Sequence, residues 1–300
     1  MGRELAALLG PVGVWTFALE RSGVAEELRA LAEIWDLGFP VAWIPEGRGS
    51  KEILSHAALL LAGTERIAVA TGIASIWARD PVAMATGART LEEGFPGRFV
   101  LGIGVSHRTS VDRRGAVRYE RPYRRMVEYL DAMEAAPYSV TPPPPLPPVV
   151  LAALGPRMLR LAAERTAGAH PYFVPVEHTA AAREALGPEP FLGPEQAVVL
   201  ESDAERARAL AREYMSHYLK LENYSHNLIR LGWSEEELAG GASDELVDAI
   251  VCWGDSDTIR ERVRSHLGAG ADHVSLQVLS ADQAEMPMGQ LRELALALLS

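Results

Sequence analysis

The segment Ile67–His107, IAVATGIASIWARDPVAMATGARTLEEGFPGRFVLGIGVSH, constrains the fold more than any other stretch of the chain. An apolar run, a helix opening at Asp80-Pro81 and a second apolar run follow in order, and both runs end in glycine-rich, small polar residues. Two strands joined through a helix run parallel, because parallel pairing needs a crossover connection. Glycine weakens a strand interior and marks a bulge or a close approach to the backbone. Gly72 and Gly104 stand at corresponding strand ends, so a flat ligand is expected to lie across the C-terminal face of a parallel barrel.

The same alternation runs through the whole chain. Strands are expected at Val12–Phe17, Val41–Ile44, Ile67–Ala74, Phe99–Gly104, Val149–Ala153, His170–Val174, Glu195–Leu200 and His273–Val278. Amphipathic helices fit between them, with two or three more between Leu221 and Gly268 and a last one at Gln290–Leu299. Pro81 and Pro156 suit first helical turns, Asp203 and Asp257 suit N-caps, and Gly38, Gly63 and Gly168 suit helix ends. Eight strands alternating with helices predict a single (β/α)8 TIM-barrel domain over residues 1–300, with short insertions. The proline-rich SVTPPPPLPPVV, Ser139–Val150, is expected as a stiff surface connection into the fifth strand.

Composition narrows the function. A net charge of −11 argues against general nucleic-acid binding. No apolar run is long enough to span a membrane, and no basic segment leads an apolar core at the N-terminus, so a cytoplasmic protein is expected. The single cysteine, Cys252, excludes an internal disulfide, and the eight histidines form no ligand-like pair, so no metal site is expected. A local exception to the acidic balance lies between Arg108 and Arg125. There Arg108, Arg113, Arg114, Arg118, Arg121, Arg124 and Arg125 face only Asp112 and Glu120, a solvated surface or a landing site for an anionic group.

Three ordered segments, VATGIASIWARDPVAMATGARTLEEGFPGRFVLGIGVSH, VVLAALGPRMLRLAAERTAGAHPYFV and WGDSDTIRERVRSHLGAGADHVSLQV, carry a resemblance over nearly the full chain. The sequence resembles the luciferase-like monooxygenase superfamily, in its branch of coenzyme F420-dependent oxidoreductases. The resemblance implies a luciferase-like barrel, a deazaflavin cofactor and a small-molecule substrate, and a homodimer. It also implies a non-prolyl cis peptide in a bulge ending strand three, placed at Gly72–Ile73 by the Arg-Asp-Pro that follows. That bulge would press on one face of the deazaflavin ring. Glu46 would stand beside the ring, and Gly104, Val105, Ser106 and His107 would border the ring and its ribityl chain.

The residues speak to some of these roles on their own. The backbone of Ala153, Leu154 and Gly155 leads into a helix opening at Pro156, and a helix N-terminus with free N–H groups binds anions. The cofactor phosphate is expected there, with Arg157 nearby. His107 and Glu46 are candidates for managing the proton that accompanies hydride transfer, since each titrates and stands at a strand end. Trp15, Ser75, Trp77, His170 and Tyr172 are expected to line a substrate pocket or pack in the barrel mouth, with Gln277 beside them. His170 and Tyr172 depart from the small acidic pattern of relatives at strand six. An FMN-dependent monooxygenase using reduced flavin and oxygen is the alternative, and a non-catalytic coenzyme binder a further one. The arginine-rich segment favours a cofactor with an anionic polyglutamate tail over FMN.

Overall fold

A computed structural model describes residues 1–47, 49–113, 118–282 and 284–299. Its strands are β1 (Val12–Trp15), β2 (Val41–Ile44), β3 (Ala68–Thr71), β4 (Ala74–Ser75), β5 (Phe99–Gly104), β6 (Val149–Leu151), β7 (Gly168–Ala169), β8 (Phe191–Leu192), β9 (Glu195–Leu200), β10 (Val251–Gly254) and β11 (Val274–Val278). They pair in the order β10-β9-β11-β1-β2-β3-β5-β6-β7-β8, every pair parallel, with β4 beside β5. The wholly buried apolar runs of β1, β2, β3 and β5 are those of strands covered on both faces.

The curled sheet closes through residues 191–195. On one side Gly193 N donates to Ala169 O (3.0 Å) and Glu195 N to Pro171 O (2.9 Å). On the other, Asp272 N donates to Leu192 O (2.8 Å) and Ser275 N to Pro194 O (3.0 Å). β8 and β9 thus act as one broken strand that bonds β7 and β11 together, and β10 adds an edge beyond β9.

Helix starts obey local chemistry. Asp80 accepts from Val82 N (2.8 Å) and Ala83 N (3.2 Å), and Asp203 accepts from Arg206 N (2.9 Å), as N-caps do. The helix Ser256–Gly268 is capped by Asp255, not by Asp257, because Asp255 is the residue whose side chain reaches Thr258 N. Gly168 does not end a helix. The helix Pro156–Arg165 stops earlier, and Gly168 opens β7 with φ +153°, where a Cβ would stand 1.9 Å from Phe191 O. The expected strand His170–Val174 is displaced for the same local reasons. Its ladder ends at Ala169, Pro171 has no N–H to give, and Phe173 takes φ +58°. β10 lies where only helices were expected.

The expected strand Ile67–Ala74 is divided by a bulge. Thr71 O would lie 2.0 Å from a Cβ at Gly102, and Ile73 Cδ1 would lie 2.8 Å from one at Gly104. The two glycines of β5 therefore leave the room in which the β3 bulge sits. The Gly72–Ile73 bond within it is cis, as is Thr141–Pro142 in the proline-rich connection. Gly102→Ala should lower stability by about 3 kcal/mol, because the clash is with backbone. Gly94→Ala, with nothing within 4 Å, should stay within about 1 kcal/mol of the parent; urea midpoints of the two variants check both.

Candidate active site

The C-terminal ends of the barrel strands meet around the bulge. Beneath Gly72 lie two aromatic side chains: a Cβ there would stand 2.5 Å from Trp15 Nε1 and 3.2 Å from His170 Nε2. Both of these nitrogens are buried without a hydrogen-bond partner. His170 donates from Nδ1 to Gly193 O (2.6 Å) and stacks on Trp43 at 4.1 Å. It is 1% exposed, and burial pushes its pKa down to about 3. His170 is thus a neutral core group under the floor of the mouth.

The bulge also fixes the residues just after it. Ser75 N donates to Glu46 Oε2 (2.7 Å), and Arg79 grips both oxygens of that carboxylate while reaching Glu52 at 3.0 Å. Burial opposes the Arg79 charge, but the Glu46 carboxylate outweighs it and holds the arginine pKa above its usual value. Trp77 Nε1 donates to Val105 O (2.7 Å), and Ser75 Oγ accepts from Trp77 N (3.3 Å). Glu46, Ser75 and Trp77 therefore brace the bulge against the ends of β2 and β5.

Past β5, Ser106 takes φ +54° and turns the chain. His107 Nδ1 donates to Asn223 Oδ1 (2.8 Å), and its ring lies 5.2 Å from that of Tyr224. Burial lowers the His107 pKa, and the Asn223 bond partly offsets it. Asn223 and Tyr224 belong to the helix Glu222–Arg230, which crosses the mouth. Tyr172 stands on Trp15 at 5.0 Å. Its hydroxyl donates to Gln277 Oε1 (2.7 Å), receives the Tyr214 hydroxyl (3.0 Å) and bonds that of Tyr218 (2.8 Å).

After β6, Ala153 is buried and the carbonyl of Leu154 is held by His178 Nε2 (2.9 Å). Gly155 then begins the helix Pro156–Arg165 without any side-chain cap. The guanidinium nearest this end is that of Arg230, whose Nη1 would lie 3.6 Å from a Cβ at Gly155. Arg157 is exposed and lies over the Tyr123 ring at 4.3 Å. Of the arginine-rich segment, Arg124 pairs with Glu128 (2.7 Å), Arg108 lies over Tyr119 and Arg125 over Trp77. Among the described residues, Arg108, Arg113, Arg118, Arg121 and Arg125 make no ion pair; Arg114 lies outside them.

Sequence reasoning found the two glycine-ended strands and the Gly155 helix start. It missed Arg230, Asn223 and the Tyr214–Tyr218 pair, which reach the mouth from distant helices and carry no local signal, and the part played by Arg79, which lies in the loop between β4 and the helix at Pro81. No cluster of three or more metal-ligating side chains occurs among the described residues. No helix among them is long and apolar enough to cross a membrane.

A barrel with this mouth has known counterparts. The model of the family described as luciferase-like monooxygenase matches residues 12–273. The chain belongs to that family. A Mycobacterium tuberculosis protein provisionally named a coenzyme F420-dependent oxidoreductase is 28% identical over 90% of this chain and 92% of its own. The 5,10-methylenetetrahydromethanopterin reductase of Archaeoglobus fulgidus is 25% identical over 80% of this chain and 85% of its own. Among solved structures, an F420-dependent secondary alcohol dehydrogenase superposes with TM-score 0.75 at 14% identity, over 96% of this chain and 98% of that one. The FMN-bound oxygenating constituent of 3,6-diketocamphane monooxygenase from Pseudomonas putida superposes at 0.71 with 16% identity, over 95% and 96%.

The buried histidines of this luciferase-like barrel make its stability acid-sensitive. Burial holds His56, His178 and His273 down to about 4, and His170 and His266 to about 3. As pH falls below about 6.5 the unfolded chain takes up these protons first, so stability drops. Glu20 and Glu195, raised by burial to about 7 and about 8, pull the other way over the same range. Five groups outweigh two. The unfolding free energy at pH 5 should fall below that at pH 7 by on the order of 3 kcal/mol, read from urea titrations at each pH.

Proposed function

We propose that this family member is an oxidoreductase that passes hydride between coenzyme F420 and a small organic substrate at the barrel mouth. The observation that carries the reading is the uncapped helix start at Gly155 with the Arg230 guanidinium beside it, two strands along from the Gly72–Ile73 floor at the same end of the barrel. Free N–H groups and a guanidinium together suit a phosphodiester. The floor suits a flat ring, since Gly72 already packs on Trp15 and Ile73 fills the space left by Gly104. The arginines without carboxylate partners suit an oligoglutamate tail, which FMN lacks.

When bound, the deazaflavin supplies the two-electron chemistry. Ile73 and Val105 would give the ring an apolar bed, and the N–H groups of Gly155 and Arg157, with the Arg230 guanidinium, would hold the phosphate. Asn223 and Tyr224 lie over His107 and keep water from that side. The relatives named for coenzyme F420 support this cofactor, and the FMN-bound fold neighbour makes FMN the second reading.

Fluorescence titration of the purified protein with coenzyme F420 and with FMN tests the choice. Coenzyme F420 should bind the tighter, and Arg230→Ala should weaken it about tenfold, the loss of one charge-assisted contact. Tighter binding of FMN overturns the reading.

A further inference from the structure

We propose that Asn227 is a positioning residue for the coenzyme phosphate: its neutral side-chain carbonyl holds the Arg230 guanidinium at the Gly155 helix start without cancelling its charge. The inference rests on the oxidoreductase reading above only for the ligand, a coenzyme that carries a phosphate. Both residues lie on the helix Glu222–Arg230, three positions apart and so on one face. Asn227 Oδ1 accepts from Arg230 Nη2 at 2.7 Å. Arg230 Nη1, Nη2 and Cζ would lie 3.6, 3.8 and 3.9 Å from a Cβ at Gly155, so the guanidinium is laid broadside against the helix start.

This arrangement leaves the binding capacity of the corner unspent. A guanidinium has five N–H donors, and the bond to Asn227 uses one of them. Among the described residues no carboxylate pairs with Arg230. At the helix start Pro156 has no N–H, and Met158 N and Leu159 N both donate to Gly155 O at 3.0 Å. Gly155 N and Arg157 N keep no protein acceptor among the described residues. His178 shares the corner through its bond to Leu154 O. Burial, with the Arg230 charge adding to it, outweighs that bond and holds the His178 pKa down to about 4, so the imidazole is neutral. The groups gathered here thus bring one positive charge and no negative one.

Asn227 is a poor residue for stability at this place, and that points to its role. Its side chain is 1% exposed, and Nδ2 is buried without a hydrogen-bond partner. Turning the amide over would set Nδ2 against the Arg230 donor, so the unpaired atom is the nitrogen. A buried amide with open N–H groups costs more than an apolar side chain of similar shape. What it supplies is an acceptor without charge. Aspartate would hold the guanidinium in the same geometry but would neutralise it and repel a phosphate. Leucine would fill the space but release Arg230, which is exposed and has this one side-chain bond to order it. Asparagine meets both demands, an ordered arginine and a charge left over for the ligand.

The test combines fluorescence titration with coenzyme F420 and urea midpoints of the ligand-free variants. Asn227→Leu should keep or raise the midpoint yet weaken coenzyme binding about fivefold. Adding Arg230→Ala to that variant should cost only about twofold more, against about tenfold in the parent, because the two residues act as one unit. Asn227→Asp should keep the midpoint and weaken binding about tenfold or more, since the charge of Arg230 is then spent. A merely structural asparagine gives a lower midpoint in Asn227→Leu and a binding loss independent of Arg230. That result, or an Asn227→Asp protein that binds like the parent, overturns the proposal. Where Asn227→Leu does not fold, the isosteric Asn227→Asp decides. A parent that binds FMN and not coenzyme F420 sinks the oxidoreductase reading alone, and the same variants are then titrated with FMN, which also brings a phosphate. A parent that binds neither overturns both.

Discussion

The carbonyl of Thr71 occupies the space that any side chain at position 102 would need, and much of the mouth depends on that contact. Because β5 is glycine at 102 and again at 104, the chain leaving β3 can bulge inward over its neighbour. Thr71 Oγ1 anchors the approach by donating to Gly102 O at 2.7 Å. Beyond the bulge, Ile76 N returns to Gly104 O (3.1 Å), and Ser75 N is delivered to Glu46. The ion pair of Glu46 with Arg79 then ties the start of the next helix to the end of β2. One steric vacancy on one strand thus sets the floor, the brace and the rim beside it.

Much of this was legible in order along the chain, and the reasons are local. Apolar runs between proline- and aspartate-started helices announced parallel strands, and glycines at strand ends announced a close approach. The hidden parts depend on pairing or distance. β8 is two residues long and broken from β9 by Gly193-Pro194, so periodicity does not show that it closes the barrel. His170–Val174 alternates like a strand, yet Pro171 and the left-handed Phe173 take it out of the ladder. Arg157 comes directly after the uncapped helix start in sequence, but Arg230, far along the chain, holds its guanidinium near Gly155 while Arg157 turns to Tyr123. Sequence proximity located the helix end but not the cation beside it.

The interior of the barrel is less apolar than its strands advertise. Trp43 Nε1 donates to His273 Nε2 (3.1 Å), and His273 Nδ1 donates onward to Gly10 O (2.7 Å), so this histidine is satisfied and neutral. His266 bonds Gln196 Oε1 (2.9 Å) and Thr179 (2.8 Å) in the same manner. Buried imidazoles survive when both ring nitrogens find partners, and their unpaired exceptions mark places that differ from the rest. One such exception is His170, whose open Nε2 lies beside the equally open Trp15 Nε1 directly under Gly72. Two open nitrogens of the core thus lie side by side beneath the floor of the mouth.

Above that floor the accounting runs the other way for Tyr172. Its oxygen accepts from Tyr214 and Tyr218 and its single proton goes to Gln277, which leaves no capacity for a ligand. Burial also holds its pKa well above the ordinary phenol value, so it stays neutral. Of the two places expected for it, pocket wall or packing in the barrel mouth, Tyr172 makes the contacts of the second, a strut between the end of β7, β11 and the helix Ala204–Tyr218. The same test separates the two carboxyls at the opposite rim. Glu46 has its oxygens filled by Arg79 and Ser75, whereas Glu20 keeps one oxygen unclaimed. A group whose bonds are all made inside the protein positions others.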